Sequence, residues 1–177
     1  MMNEEESTFM PNEKKKPADS FTLMTQLIFP SDTNHYDTMF GGRLMEYMDK
    51  AAAIAAMRHA RTRSVTASMD SIDFLAPIMI GEVIEIKAFV SWTHRSSMEI
   101  YVTVTSENLM TGEKKHNVQA FFTFVALGED GRPTQIAEVE PETNLEKKLF
   151  ASAPERHEAR RKRRLDRKQA EQAAIEE

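Results

Sequence analysis

The chain has 177 residues, enough for one medium domain with a proper core and some tail. Apolar residues make up 41% and charged residues 29%, an ordinary globular balance, and no apolar run reaches the roughly 18 residues of a membrane-spanning helix. The absence of cysteine excludes disulfide staples, zinc–thiolate sites and a cysteine nucleophile.

Residues 1–19 are polar and charged and read as a disordered lead-in to the domain. The acidic start at Asn3-Glu4-Glu5-Glu6 lacks the basic-then-apolar pattern of a secretory signal, so the expected location is the cytoplasm. Phe21 to Phe29 is mixed apolar and β-prone and predicts a first strand, closed by Pro30. A polar segment over 31–42 ends in Gly41-Gly42. From Gly41 to His59 the recurrence of Leu44, Met48, Ala51, Ala52 and Ala55 predicts one long helix. Its alanines and methionines suit it to lie close against a sheet.

The rest of the domain reads as strands. Val65 to Phe74 is followed by a segment in which Ile84, Ile86, Ala88, Val90 and Trp92 alternate with polar residues. Met98, Ile100, Val102 and Val104 alternate in the same way, and Thr111-Gly112 turns into a last strand, Lys115 to Leu127. That strand is apolar on both faces through Phe121, Phe122, Phe124 and Val125, which fits a central position or a subunit contact. The domain is expected over 20–130, and residues 131–177 form a helical extension in which Pro154 divides a short piece from a basic one. The fold class is α+β, an antiparallel sheet wrapped round one long central helix. With one helix to cover the sheet, a second copy of the chain is expected to bury what remains.

The net charge of -5 is unevenly spread, because Arg156, Arg160, Arg161, Lys162, Arg163, Arg164, Arg167 and Lys168 gather in one run. Such a run is either a solvated helix face or a surface for an anionic partner. No aromatic residues interleave with the arginines, so a nucleic acid is not the expected partner. The chain carries no G-x-S-x-G elbow, P-loop or H-E-x-x-H motif, and its five histidines do not cluster at ligand spacing, so no metal site is expected.

Three positions could carry chemistry. Asp49 sits mid-helix with Met45 and Ala53 one turn to either side; it is either an exposed carboxylate beside Lys50 or a group with a task. Asn34 is either a turn former or an amide that positions water or donates to a carbonyl oxygen. Gly41-Gly42 is either a flexible helix entry or a bare helix start whose first N–H groups meet developing negative charge. Together they would cleave an ester without a serine nucleophile: Asp49 takes a proton from water or attacks directly, and an N–H at the helix start, such as that of Gly42, holds the oxyanion.

Phe29-Pro30-Ser31-Asp32-Thr33-Asn34, followed by Phe40-Gly41-Gly42-Arg43-Leu44-Met45-Glu46-Tyr47-Met48-Asp49, resembles the hotdog-fold acyl-CoA thioesterases. Val65-Thr66-Ala67-Ser68-Met69-Asp70, Ser96-Ser97-Met98-Glu99 and Ser106-Glu107-Asn108-Leu109-Met110-Thr111-Gly112 extend the resemblance in order. It implies hydrolysis of fatty acyl-CoA to a free fatty acid and coenzyme A, with Asn34 and Asp49 contributed from opposite halves of a dimer. It also implies coenzyme A contacts at Ala67, Ser68 and Met69 and at Ser96, Ser97 and Met98, with Lys162 meeting phosphate. No cofactor is implied, coenzyme A being part of the substrate. A trimer of dimers is the implied assembly. The competing reading is a non-catalytic acyl-CoA-binding regulator of the same fold. The helix face with Met45 and Met48 is the expected acyl slot.

Overall fold

A computed structural model describes residues 14–175. The elements in chain order are β1 (Lys14–Lys15), α1 (Pro17–Ser20), β2 (Thr22–Leu27), a 3₁₀ turn at Pro30–Asp32, α2 (Gly41–Ala60), β3 (Arg63–Phe74), β4 (Val83–His94), β5 (Ser97–Glu107), β6 (Lys114–Leu127), β7 (Glu138–Val139) and α3 (Asn144–Ile175). Five strands form one sheet in the order β2-β4-β5-β6-β3, every neighbouring pair antiparallel.

One face of this sheet wraps α2. Ile84 and Ile86 of β4, Ile100 and Val102 of β5, and Phe122 and Phe124 of β6 are fully buried against Leu44, Met48, Ala51, Ala52, Ala55 and Ala56 of the helix. Alanine has no side chain beyond its methyl group, so the helix axis can approach the sheet closely without losing helix propensity. The strand alternation holds along β5 and β6 but fails at Trp92. A bulge between Val90 and Trp92 leaves Ser91 buried with its Oγ on Glu99, and the indole stacks with His94 and meets His157 at a tilt.

The sheet's second face is not left to another copy alone. Successive strand residues point to opposite faces, so Glu99 and Phe121 face away from α2, and α3 packs over them. The doubly apolar β6 holds an interior position between β5 and the edge strand β3, not the centre, with Phe121 under α3.

Two expectations for the ends of the chain are corrected. Residues 1–13 of the expected disordered segment lie outside the described residues, but 14–20 are structured. β1 pairs in parallel with β7, Lys15 Nζ donates to the Asp-free C-terminal end of α2 at His59 O (2.9 Å), and the buried Ser20 Oγ accepts the Val90 N–H at 2.9 Å. The last bond matters because β2 stops at Thr22, opposite Ala88, and leaves the Val90 N–H beyond the ladder. Pro154, for its part, does not divide the C-terminal helix, which runs unbroken through it. Proline removes one helical N–H and crowds the preceding turn. In the turn before it, Ser152 Oγ donates to Lys148 O (2.9 Å) and Arg156 Nη2 to Leu149 O (2.8 Å), side-chain bonds that brace the helix there.

Candidate active site

Asn34 stands in a tight loop before α2. Its backbone N–H donates to Thr38 O (2.8 Å) and its carbonyl accepts from Asp37 N (3.1 Å). The carboxamide Oδ1 accepts the Tyr36 N–H (2.8 Å), and Nδ2 donates to Thr38 Oγ1 (3.0 Å). The turn-forming role is therefore real, and it also fixes the amide at the loop surface. Asp32, buried just upstream, anchors the loop to the helix by accepting from Arg43 Nε at 3.2 Å.

Gly41 and Gly42 open α2 with no side-chain cap. The Arg43 and Leu44 N–H groups both donate to Phe40 O, while those of Gly41 and Gly42 belong to the first turn, where no intrahelical acceptor exists. A methyl group at Gly42 would lie 2.7 Å from the Phe40 ring, which would have to swing away, and one at Gly41 would rest 3.7 Å from the Phe74 ring. Beside this bare start lies a cleft of about 380 Å³ lined by Thr38, Gly41, Leu44, Phe74, Pro77 and Ile78. The expected acyl slot is corrected in part: Met48 is fully buried in the core and lines no surface, so only the half-buried Met45 keeps that possibility.

Asp49 lies eight residues further, about 12 Å along the helix axis. It does not pair with Lys50, whose ammonium bonds Glu46 at 2.6 Å. Lys50 and then Arg43 hold the Glu46 carboxyl down to about 2. Asp49 Oδ1 instead accepts from Thr66 Oγ1 of β3 at 2.8 Å; Oδ2 accepts no hydrogen bond from the described residues. Thr66 lies within one of the motifs that carry the resemblance. Nothing in the linear sequence links it to a carboxylate seventeen positions away; the packing of β3 against α2 does.

Within one chain Asn34 and Asp49 share no hydrogen bond. Asp49 opens instead onto the outer edge of the sheet, because β3 pairs with β6 on one side only. Val65 (48% exposed) and Met69 (41%) on that strand and Met57 (44%), two turns beyond Asp49 on α2, leave apolar surface uncovered.

The proposed coenzyme A contacts fall at one end of the sheet. Ser97 pairs with Val125, which pairs with Val65, so the Ser96-Ser97 turn stands two strands, about 10 Å, from Val65, two residues before the Ala67–Met69 stretch. Ala67 is the extra residue of a bulge between Thr66 and Ser68. The Met98 side chain points into the core and is buried, so only its backbone is available there.

The basic run divides by function. Arg156 and Arg160 bond the buried Glu99, and Arg160 and Arg163 reach Asp70. Arg161 pairs with Glu158 and Arg167 with Glu171 along the helix. Lys162, Arg164 and Lys168 form no ion pair among the described residues, so Lys162 remains exposed and available. The stripe 156, 160, 163 at helical spacing was a legible sign of an inward face; its carboxylate partners were not, since Glu99 occupies what strand alternation marks as the solvent side. Among the described residues no group of three or more acidic or histidine side chains gathers to hold a metal ion, and no helix is long and apolar enough to cross a membrane.

A sheet wrapped round one central helix is the hotdog architecture that the sequence resemblance implies. The family model described as the thioesterase superfamily matches residues 36–113. The uncharacterized acyl-CoA thioester hydrolase YkhA of Bacillus subtilis is 44% identical over 146 residues, 82% of this chain and 85% of that one. A structure of an acyl-CoA hydrolase from Staphylococcus aureus in complex with butyryl coenzyme A, coenzyme A and coenzyme A disulfide superposes with a TM-score of 0.85 at 40% identity, covering 89% of this chain and 96% of that one. An apo-hexameric acyl-CoA thioesterase gives 0.83 at 45% identity, covering 85% and 97%. The chain belongs to the acyl-CoA thioester hydrolases of the thioesterase superfamily.

Proposed function

We propose that this chain hydrolyses fatty acyl-CoA in the cytoplasm, at a site shared between two copies, with Asp49 of one and Asn34 of the other. The observation that carries the reading is Asp49: one oxygen is tied to Thr66, among the described residues the other accepts no hydrogen bond and no lysine or arginine pairs with the carboxylate, and an open sheet edge lies beside it. A second copy meeting that edge would cover Val65, Met69 and Met57 and bring its own loop to the carboxylate. Pairing of two β3 edges also removes the unpaired backbone groups of an exposed edge strand. The apo-hexameric relative supports a larger assembly, which we read here as a trimer of such dimers.

Asp49 Oδ2 accepts a proton from water as the water oxygen adds to the thioester carbonyl carbon. The N–H of Gly42, at the positive end of the helix dipole, donates to the oxygen that gains charge, and the Asn34 carboxamide orients the carbonyl or the water. The carbon–sulfur bond then breaks. The coenzyme A thiolate leaves and is protonated, and the fatty acid is released. The nucleotide end lies toward Ala67, Ser68, Met69, Ser96 and Ser97 and the backbone of Met98, with Lys162 on its phosphates. The reaction needs no cofactor, and the reading involves neither nucleic acid nor membrane.

The test is thiol release from acyl-CoA over short, medium and long chains. Tight binding without release at every length selects the regulatory alternative. Mixing inactive Asn34→Ala and Asp49→Ala chains under conditions of proven subunit exchange should restore part of the activity, because one of the two sites in each hybrid dimer keeps both residues. No recovery places both residues in one chain.

A further inference from the structure

Between Thr66 and Asp73 the edge strand β3 is poorly held by its ladder. Its pairing with β6 shifts once between Thr66 and Ser68 and again between Asp70 and Asp73, and Ser71 adopts a positive φ of 53°. The proposed coenzyme A stretch Ala67–Met69 sits between these irregularities with a strand on one side only. Asp70 ends the stretch, and it is buried. Its Oδ2 accepts from Ser68 Oγ at 3.1 Å and lies 3.6 Å from Arg160 Nη1, and its Oδ1 accepts from Arg163 Nη2.

Arg160 and Arg163 flank Lys162 on α3. Contacts at both flanking positions determine how far along and how far round the helix Lys162 stands. Arg160 Nη1 also donates to Glu99 Oε2 at 2.7 Å, and Arg156 grips the same carboxylate through Nε and Nη2. Glu99 therefore moors the helix, and Asp70 joins the moored helix to the irregular strand.

We infer that Asp70 is a positioning residue for coenzyme A: it ties the Ala67–Met69 strand and the Lys162 segment of α3 into one rigid receptor for the nucleotide end of the substrate. The inference rests on the coenzyme A site proposed above. Carboxylate–guanidinium bonds are directional, and a buried ion pair is a weak source of net stability. Positioning, more than stability, is what this pair supplies.

The experiment uses the full chain in its native assembly. Asp70→Asn keeps an acceptor for Ser68 but loses the charge for the arginines; Glu99 still moors α3. KM for acyl-CoA and the Kd for free coenzyme A should both rise about threefold to tenfold, while KM for an acyl-pantetheine lacking the nucleotide stays near the wild-type value. Arg163→Gln, at a side chain 65% exposed, should act in the same direction to a smaller extent without risk to the fold. Unchanged Kd and KM in both variants overturns the inference. So does an equal rise for acyl-CoA and acyl-pantetheine, which marks a merely structural residue. If the wild-type chain releases no thiol but Asp70→Asn still weakens coenzyme A binding, the catalytic reading falls and the positioning role stands.

Discussion

Helix α2 meets the sheet through alanine, leucine and methionine, whereas α3 meets the opposite face through arginine. The first contact is apolar and non-directional: six buried apolar side chains of α2 lie in the concave face, and their favourable burial depends on area rather than on angle. The second contact is a set of charge-assisted hydrogen bonds from Arg156, Arg160 and Arg163 to Glu99 and Asp70. These bonds constrain rotation and height as well as separation. The apolar contact thus builds the domain and leaves α2 free to present Asp49 at its margin. The ionic contact adds little to the core but specifies where the basic surface of α3 stands.

The largest effect expected from breaking this contrast is on α2. Asp49→Ala should lower kcat by about 10²–10⁴-fold, the usual contribution of a positioned base. The fold should survive, because Asp49 is only half-buried and its one hydrogen bond is to Thr66. A circular dichroism melt beside the thiol-release assay separates the two, and turnover near the wild-type rate removes Asp49 from the mechanism.

On the α3 side the corresponding loss is of stability. Glu99→Gln leaves Arg156 and Arg160 without their shared charge in a site where Glu99 is fully buried and Arg160 nearly so. Breaking one partner of such a pair costs about 3–5 kcal/mol. Urea unfolding at fixed protein concentration measures it, since assembly makes apparent stability depend on concentration. A variant as stable as the wild type would show that α3 is held by its apolar contacts after all.

Lys162→Ala should be milder, because Lys162 carries no structural ion pair. The effect should fall on KM for acyl-CoA, by about threefold to tenfold, or about 0.7–1.4 kcal/mol. It should shrink with added salt and nearly vanish with acyl-pantetheine. An equal loss with both substrates would return the exposed basic residues to the role of a solvated face.

The smallest expected effect is on pH dependence, and again the two helices differ. At the end of α2, burial holds the His59 imidazole below the ordinary value of 6.5. Its Nε2 meets Ala137 O at 2.9 Å, and its Nδ1 is buried with no partner among the described residues to receive a second N–H. The unfolded chain therefore takes up the proton first. Stability from His59 is present above about pH 6.5 and is lost as pH falls below it. His157 on α3 is also held low, first by burial and then by His94, Arg160 and Arg164, but it is more exposed. His59→Gln should therefore flatten the acid limb of a stability–pH curve more than His157→Gln does; the reverse order would move the acid-sensitive contact to α3.

What the sequence determined by itself follows from periodicity and short motifs. The 3.6-residue spacing of Leu44, Met48, Ala51 and Ala55 specified α2 almost to its ends. The two-residue alternation of β4 and β5 specified their buried face up to the bulge at Trp92. The motif around Asn34, Gly42 and Asp49 carried the resemblance to a thioesterase. All of these are local properties, readable because hydrophobic burial repeats at the period of the backbone. The tertiary structure alone decided the rest: that Lys50 answers Glu46 and leaves Asp49 to Thr66, that Met48 and Met98 belong to the core, that Ser20 serves the orphaned Val90 N–H, and that three arginines of an apparently solvated run close on Glu99 and Asp70. The physical reason is common to them. A polar side chain's partner is set by which groups the fold brings within about 3 Å, and for Glu99 and Arg160 that partner lies 61 positions away, where no local pattern reaches.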